Sequence, residues 1–194
     1  MTTTTIKLIY FSPTHTTQQT LRAIGRRITS RGKAAPNPST EIDLTLPGGL
    51  ETVTADAGDL VILGAPVYAG RLPRTAVERL RRIHGDNTPA VLVVVYGNRA
   101  FEDALLELKD LAEAQGFVPV AAAAFIGEHS YHQPATPIAP GRPDDRDLAQ
   151  AQAFGGQIRA RLAALDPTKI KPPLQVPGNR PYRERGGPSE SAPV

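Results

Sequence analysis

The residues best suited to chemistry lie in one short stretch, Ser12-Pro13-Thr14-His15-Thr16-Thr17, which brings four hydroxyls and an imidazole into a single turn. An apolar run (residues 6–11, IKLIYF) precedes it and a segment of helical periodicity follows. Hydroxyls and unpaired backbone N–H groups at the start of a helix form a cradle for a phosphate. The positive end of the helix dipole adds about 0.3–1 kcal/mol. Neither G-x-x-x-x-G-K-[ST] nor G-x-G-x-x-G occurs in this loop. The same residues would also serve as a plain helix cap, and it is their place after the first strand of a five-strand pattern that favours an anion site.

Two further loops share this character. Ala65-Pro66-Val67-Tyr68-Ala69-Gly70-Arg71-Leu72-Pro73 and Tyr96-Gly97-Asn98-Arg99-Ala100-Phe101 each leave an apolar run. Gly70 and Gly97 permit close backbone approach to a flat ring, and Tyr68 and Tyr96 are placed to stack on it or border it. A fourth stretch, Glu128-His129-Ser130-Tyr131-His132, sets two histidines three apart without an evident third ligand. It reads as a pocket wall, a partner surface or plain loop polarity rather than a metal site. No G-x-S-x-G and no carboxylate pair supports hydrolysis.

The elements that must position these loops follow from periodicity. Strands are expected at residues 6–11, 41–44, 60–64, 90–96 and 117–125. Helices are expected at 17–31, 73–84, 101–115 and 144–165, with Gly116 closing the third, His84 capping the second, and Leu148, Phe154, Ile158, Leu162 and Leu165 facing inward on the last. Strands alternating with helices imply an α/β domain: a doubly wound, five-stranded parallel sheet in the order 2-1-3-4-5 with helices on both faces. Ligands of such sheets bind at the switch point between the first and third strands.

Composition narrows the chemistry. The 194 residues hold no cysteine, which excludes disulfides, thiolate nucleophiles and cysteine-ligated clusters, so redox chemistry would need a non-covalent cofactor. No apolar run approaches the roughly 20 residues of a membrane helix, and no secretory signal opens the chain, so a soluble, cytoplasmic protein without a membrane partner is expected. Of the net charge of +3, residues 166–194 carry +2, leaving the folded part nearly neutral. The arginines at 22, 26, 27, 31, 79, 81 and 82 read as a solvated surface or a docking patch for an acidic redox protein. With 5% aromatics and no stacking platform, nucleic acid is not an expected partner.

The combination YFSPTHTT, GAPVYAGRLP, YGNRAFEDALLELKDLAEAQGF and FIGEHSY resembles the flavodoxin-like domain of proteins in which that domain precedes a two-cluster ferredoxin domain. The tail motif PLQVPGNRPYRER resembles their connector. The resemblance implies a flavodoxin-like FMN domain at residues 1–165 and a Pro-rich, extended tail at 166–194. It places Ser12, Thr14, His15, Thr16 and Thr17 around the phosphate, and Pro66, Val67, Tyr68, Ala69, Gly70, Arg71, Tyr96, Gly97, Asn98 and Arg99 around the isoalloxazine. The group commonly has Gly where this chain has His15, and no cysteine-bearing ferredoxin part follows. The implied function is therefore electron exchange with a separate partner, such as a ferredoxin-type cluster protein, unless the chain is part of a longer one. An FMN-dependent NAD(P)H or quinone reductase, or a flavin-free binding module, are the alternatives. Arg71 and Arg99, each about 5 Å from a reduced ring at an effective dielectric of about 20, would each favour reduction by roughly 3 kcal/mol, or about 140 mV. The tail residues Leu174, Val176 and Tyr182 would dock on the domain or on a second subunit as a homodimer contact.

Overall fold

The computed structural model describes residues 5–29, 39–46, 52–162 and 173–185. Five strands, β1 (Ile6–Tyr10), β2 (Ser39–Asp43), β4 (Leu60–Pro66), β6 (Thr88–Tyr96) and β7 (Phe117–Ile126), form one sheet in the order β2-β1-β4-β6-β7. All of its pairings are parallel, with Ile6 set between Ser39 and Leu60. This is the expected 2-1-3-4-5 order.

Side-chain alternation along the strands builds two cores. Ile9, Leu63, Leu92 and Val94 pack with Ala76 and Leu80 of α2 (Arg74–Leu80) and Leu105 and Leu108 of α3 (Ala104–Ala114). Leu8, Ile62, Val91 and Val93 pack with Leu21 and Ile24 of α1 (Thr16–Thr29) and Ala151 and Ile158 of α4 (Asp145–Leu162). Every residue of β4 is buried, as a central parallel strand covered on both faces requires. Each fully buried Leu, Ile or Val contributes about 1.5–3 kcal/mol. Leu148, Phe154 and Leu162 are partly buried against the same core, and Leu165 lies outside the described residues.

The structure corrects three expectations. The second helix stops at Leu80, and Ile83–Gly85 forms a strand, β5, paired in parallel with β3 (Val53–Ala55) in a separate two-stranded sheet. Ile83, three residues after Leu80, fitted a helical period, but it is 1% exposed as a strand residue. His84 therefore pairs with Thr54 and caps no helix. The third helix begins at Ala104 and not at Phe101, because Glu102 has a φ of +43° that no α-helix accommodates.

Residues 173–185 are extended, as their prolines dictate, and lie on the domain itself, with Val176 packed against the core. The rest of the tail lies outside the described residues. Among those described, no helix is long and apolar enough to cross a membrane. Because the five main strands run the same way, the loops after β1, β4, β6 and β7 all open on one edge.

Candidate functional site

The first loop is held from below. The Ser12 N–H donates to Thr45 Oγ1 (2.8 Å), and Ser12 Oγ accepts from the Gln18 N–H (3.1 Å). Gln18 Nε2 donates to the buried Tyr10 hydroxyl (2.5 Å), which donates to Glu41 Oε2 (3.1 Å). The His15 N–H closes a turn on the Ser12 carbonyl (3.1 Å), with His15 at a φ of +60°. That left-handed conformation is the physical reason a glycine would be at ease here, and it leaves the imidazole exposed.

What remains is a set of unused donors. The backbone N–H groups of Thr14, Thr16 and Thr17 have no acceptor among the described residues. The Thr17 side chain is 0% exposed, and its Oγ1 has no hydrogen-bond partner among the described residues. Leaving such a hydroxyl unsatisfied costs about 1–3 kcal/mol, which an acceptor bound in the loop would recover. The Thr14 and Thr16 hydroxyls lie 3.3 Å apart at the same mouth. The arrangement suits an anion with several oxygens.

The second loop is a tight hairpin turn. Tyr68 and Arg71 exchange backbone hydrogen bonds (2.9 and 3.1 Å) across Ala69 and Gly70, both at positive φ (50° and 78°). Tyr68 is left 39% exposed. In the third loop Asn98, at φ +56°, donates its N–H to the Tyr96 carbonyl (3.0 Å), and Tyr96 meets Phe101 edge to face at 5.5 Å. Asn98 and Arg99 are exposed. The Asp103 N–H donates to the Gly70 carbonyl (3.0 Å) and so ties the second loop to the segment that follows the third. Gly97 must be glycine, since a Cβ there would overlap the His129 ring. The loop bearing His129 and Tyr131 thus closes over the third loop. It is anchored to α4 through Arg142, whose guanidinium beside Asp147 holds that carboxyl below its usual range.

The structure therefore gathers the residues at 12–17, 66–71 and 96–99 on one sheet edge. It revises Arg71, however. Its guanidinium donates to Glu107 Oε2 and Oε1 (2.8 Å each) and to the Arg183 carbonyl (2.7 Å), with the Tyr182 ring 4.5 Å away. Arg71 is not the free cation that was expected, because Glu107 neutralises it. Arg99 is exposed, and at a dielectric near that of water a charge about 5 Å from it is worth only about 0.8 kcal/mol.

Sequence reasoning missed Asp103, Glu107 and Asp110. Their carboxylates hold the segment 173–185. Asp103 accepts from the Asn179 and Arg183 N–H groups (2.8 and 2.7 Å), Glu107 from Arg185 (2.5 Å), and Asp110 from Arg180 and Tyr182. The Arg183 and Asn179 donors hold the Asp103 carboxyl below its usual range, so its contribution to stability is present above the unfolded carboxylate pKa and is lost as pH falls through the lower folded value. The available signal was an acidic i, i+4, i+7 stripe on a helix, matched by the arginines at 180, 183 and 185.

No family model matches the chain, and no curated protein matches its sequence. Solved structures do match in fold. The chain is similar to flavodoxin 1 from Bacillus cereus at 16% identity and a TM-score of 0.55, over 84% of this chain and 99% of that one. It is similar to an apo NADH:FMN oxidoreductase at 15% identity and a TM-score of 0.56, over 82% and 90%. It is also similar to rubredoxin oxygen:oxidoreductase from Desulfovibrio gigas at 15% identity and a TM-score of 0.57, spanning 84% of this chain and 37% of that larger one. The sheet order and these likenesses together give the chain a flavodoxin-like fold.

Proposed function

We propose that this protein binds FMN, with the phosphate in the loop at 12–17 and the ring between the loops at 66–71 and 96–99. In this reading it carries electrons to and from a separate redox protein of the ferredoxin type. The observation that carries the proposal is the buried, unpartnered Thr17 Oγ1 beside three backbone N–H groups that also have no acceptor among the described residues. These donors sit at the switch point of the sheet, the place where such folds bind their ligands. The names of the similar structures, flavodoxins and an FMN oxidoreductase, agree with that ligand.

In this reading Thr14, Thr16 and Thr17 donate to the phosphate, and the positive end of α1 favours its charge. Tyr68 and Tyr96 border the ring, while His129 and Tyr131 shield its approach from water. Bound FMN would supply reversible acceptance of one or two electrons, and the protein's part is to place it and set its surroundings. Without a cysteine the chain has no thiolate ligand for a cluster of its own.

The reading separates from that of a reductase by turnover. FMN-loaded protein given NADH or NADPH with a quinone acceptor is expected to show no steady consumption of the nicotinamide, whereas a reduced two-cluster ferredoxin bleaches its visible absorbance. Sustained NADH or NADPH oxidation would make it a reductase instead.

A further inference from the structure

We propose that residues 173–185 are a clasp that sets the two ring-side loops from behind, with Arg71 as the positioning residue through which it acts. Its effect on ligand rests on the FMN reading, but the coupling of clasp to loops belongs to the protein alone.

Asp103 is the pivot. It occupies the N-cap of α3, yet its side chain makes no capping bond to that helix. The carboxylate instead accepts from the Asn179 and Arg183 N–H groups (2.8 and 2.7 Å). The usual cap bond, worth about 1 kcal/mol, is given up for a hold on a segment some 80 residues away. The N–H of the same residue donates to the Gly70 carbonyl, so one residue joins the turn at 68–71 to the clasp.

The other contacts converge on the same two loops. The Arg183 carbonyl accepts from Arg71, and the Arg183 guanidinium pairs with Glu102, the positive-φ residue that ends the third loop. Tyr182 lies across the Arg71 guanidinium at 4.5 Å and donates its hydroxyl to Asp110. Ala69, at φ +50°, is a conformation that an alanine keeps only when its surroundings over-determine it. A clasp bonded to Arg71 at the end of that turn and to Glu102 and Asp103, the latter itself bonded to Gly70, provides such surroundings.

The test uses the full chain with Arg180→Ala and Tyr182→Leu combined, which loosens the clasp without altering either loop. In the flavin-free protein, amide exchange at Tyr68, Arg71 and Asp103 is expected to speed up about tenfold while the central sheet keeps its protection. Dissociation constants for FMN and riboflavin are expected to rise together by about tenfold, leaving their ratio unchanged, since the loss is on the ring side. Fast exchange at 173–185 with unchanged exchange at 68–71 would overturn the proposal. A protein that binds neither flavin would defeat the FMN reading, while the exchange result would still decide the clasp. Should the double variant lose protection throughout the sheet, Tyr182→Phe carries the same two outcomes at about threefold.

Discussion

Glu107→Ala is expected to destabilise the domain by about 3–5 kcal/mol, the range found when one partner of a buried ion pair is removed. Glu107 is 7% exposed and Arg71 9% exposed, so the guanidinium that remains cannot recover its hydration by a small movement. The loss is larger than one ion pair. The Leu72 N–H (2.9 Å) donates to the same carboxylate and would be stranded as well, and the Arg185 guanidinium (2.5 Å) would be left with the Leu72 carbonyl. Against a total stability of about 5–15 kcal/mol, this brings the variant near the threshold of folding. Urea unfolding followed by circular dichroism would measure it. The second arm is the double variant Arg71→Met, Glu107→Leu, which is expected to recover at least half of the loss because no buried charge is left. A single-variant cost below 1 kcal/mol would mean that water reaches this pair freely, contrary to its burial.

Thr17→Val carries the second large effect, and its sign reverses between two measurements. Valine has nearly the shape of threonine, so it removes the orphaned Oγ1 without opening a cavity. The flavin-free protein is expected to gain up to about 1 kcal/mol, because a buried group with no partner is replaced by one that needs none. FMN binding is expected to weaken by about 10- to 100-fold, as loss of a hydrogen bond to a charged group of about 1.5–3 kcal/mol implies. Riboflavin, which lacks the phosphate, should bind as before. Thermal unfolding and flavin titration of the same preparation would report both. Equal losses for FMN and riboflavin would place the phosphate elsewhere.

The sheet order and the three loops were legible because they depend on local signals. Continuous apolar runs such as AVLVVVY can be satisfied only between two helical layers, and alternation with helices then dictates a parallel order. The hydroxyl-rich turn after β1 was equally plain. What escaped were features set by distant partners. Arg71 reads as a cation in the loop after β4, but its partner Glu107 lies 36 residues on, and no local pattern couples them. The extended course of the tail followed from its prolines, whereas its seat on α3 came from charges on both segments that only the fold brings together. The short strands β3 and β5, three residues each, carry too little sequence to be told from a helix end and a loop. The positive φ of His15 is imposed by the turn, and its hint lay in the glycine that the resembling group commonly has at this position.

Whether the loop at 12–17 holds the FMN phosphate is measured by titrating the purified chain with FMN, followed by visible absorbance, with riboflavin in parallel. One equivalent of FMN is expected to bind, with a shifted and structured visible band, and riboflavin more weakly by at least about tenfold. A chain that retains no flavin once excess FMN is removed by gel filtration would contradict FMN binding in that loop.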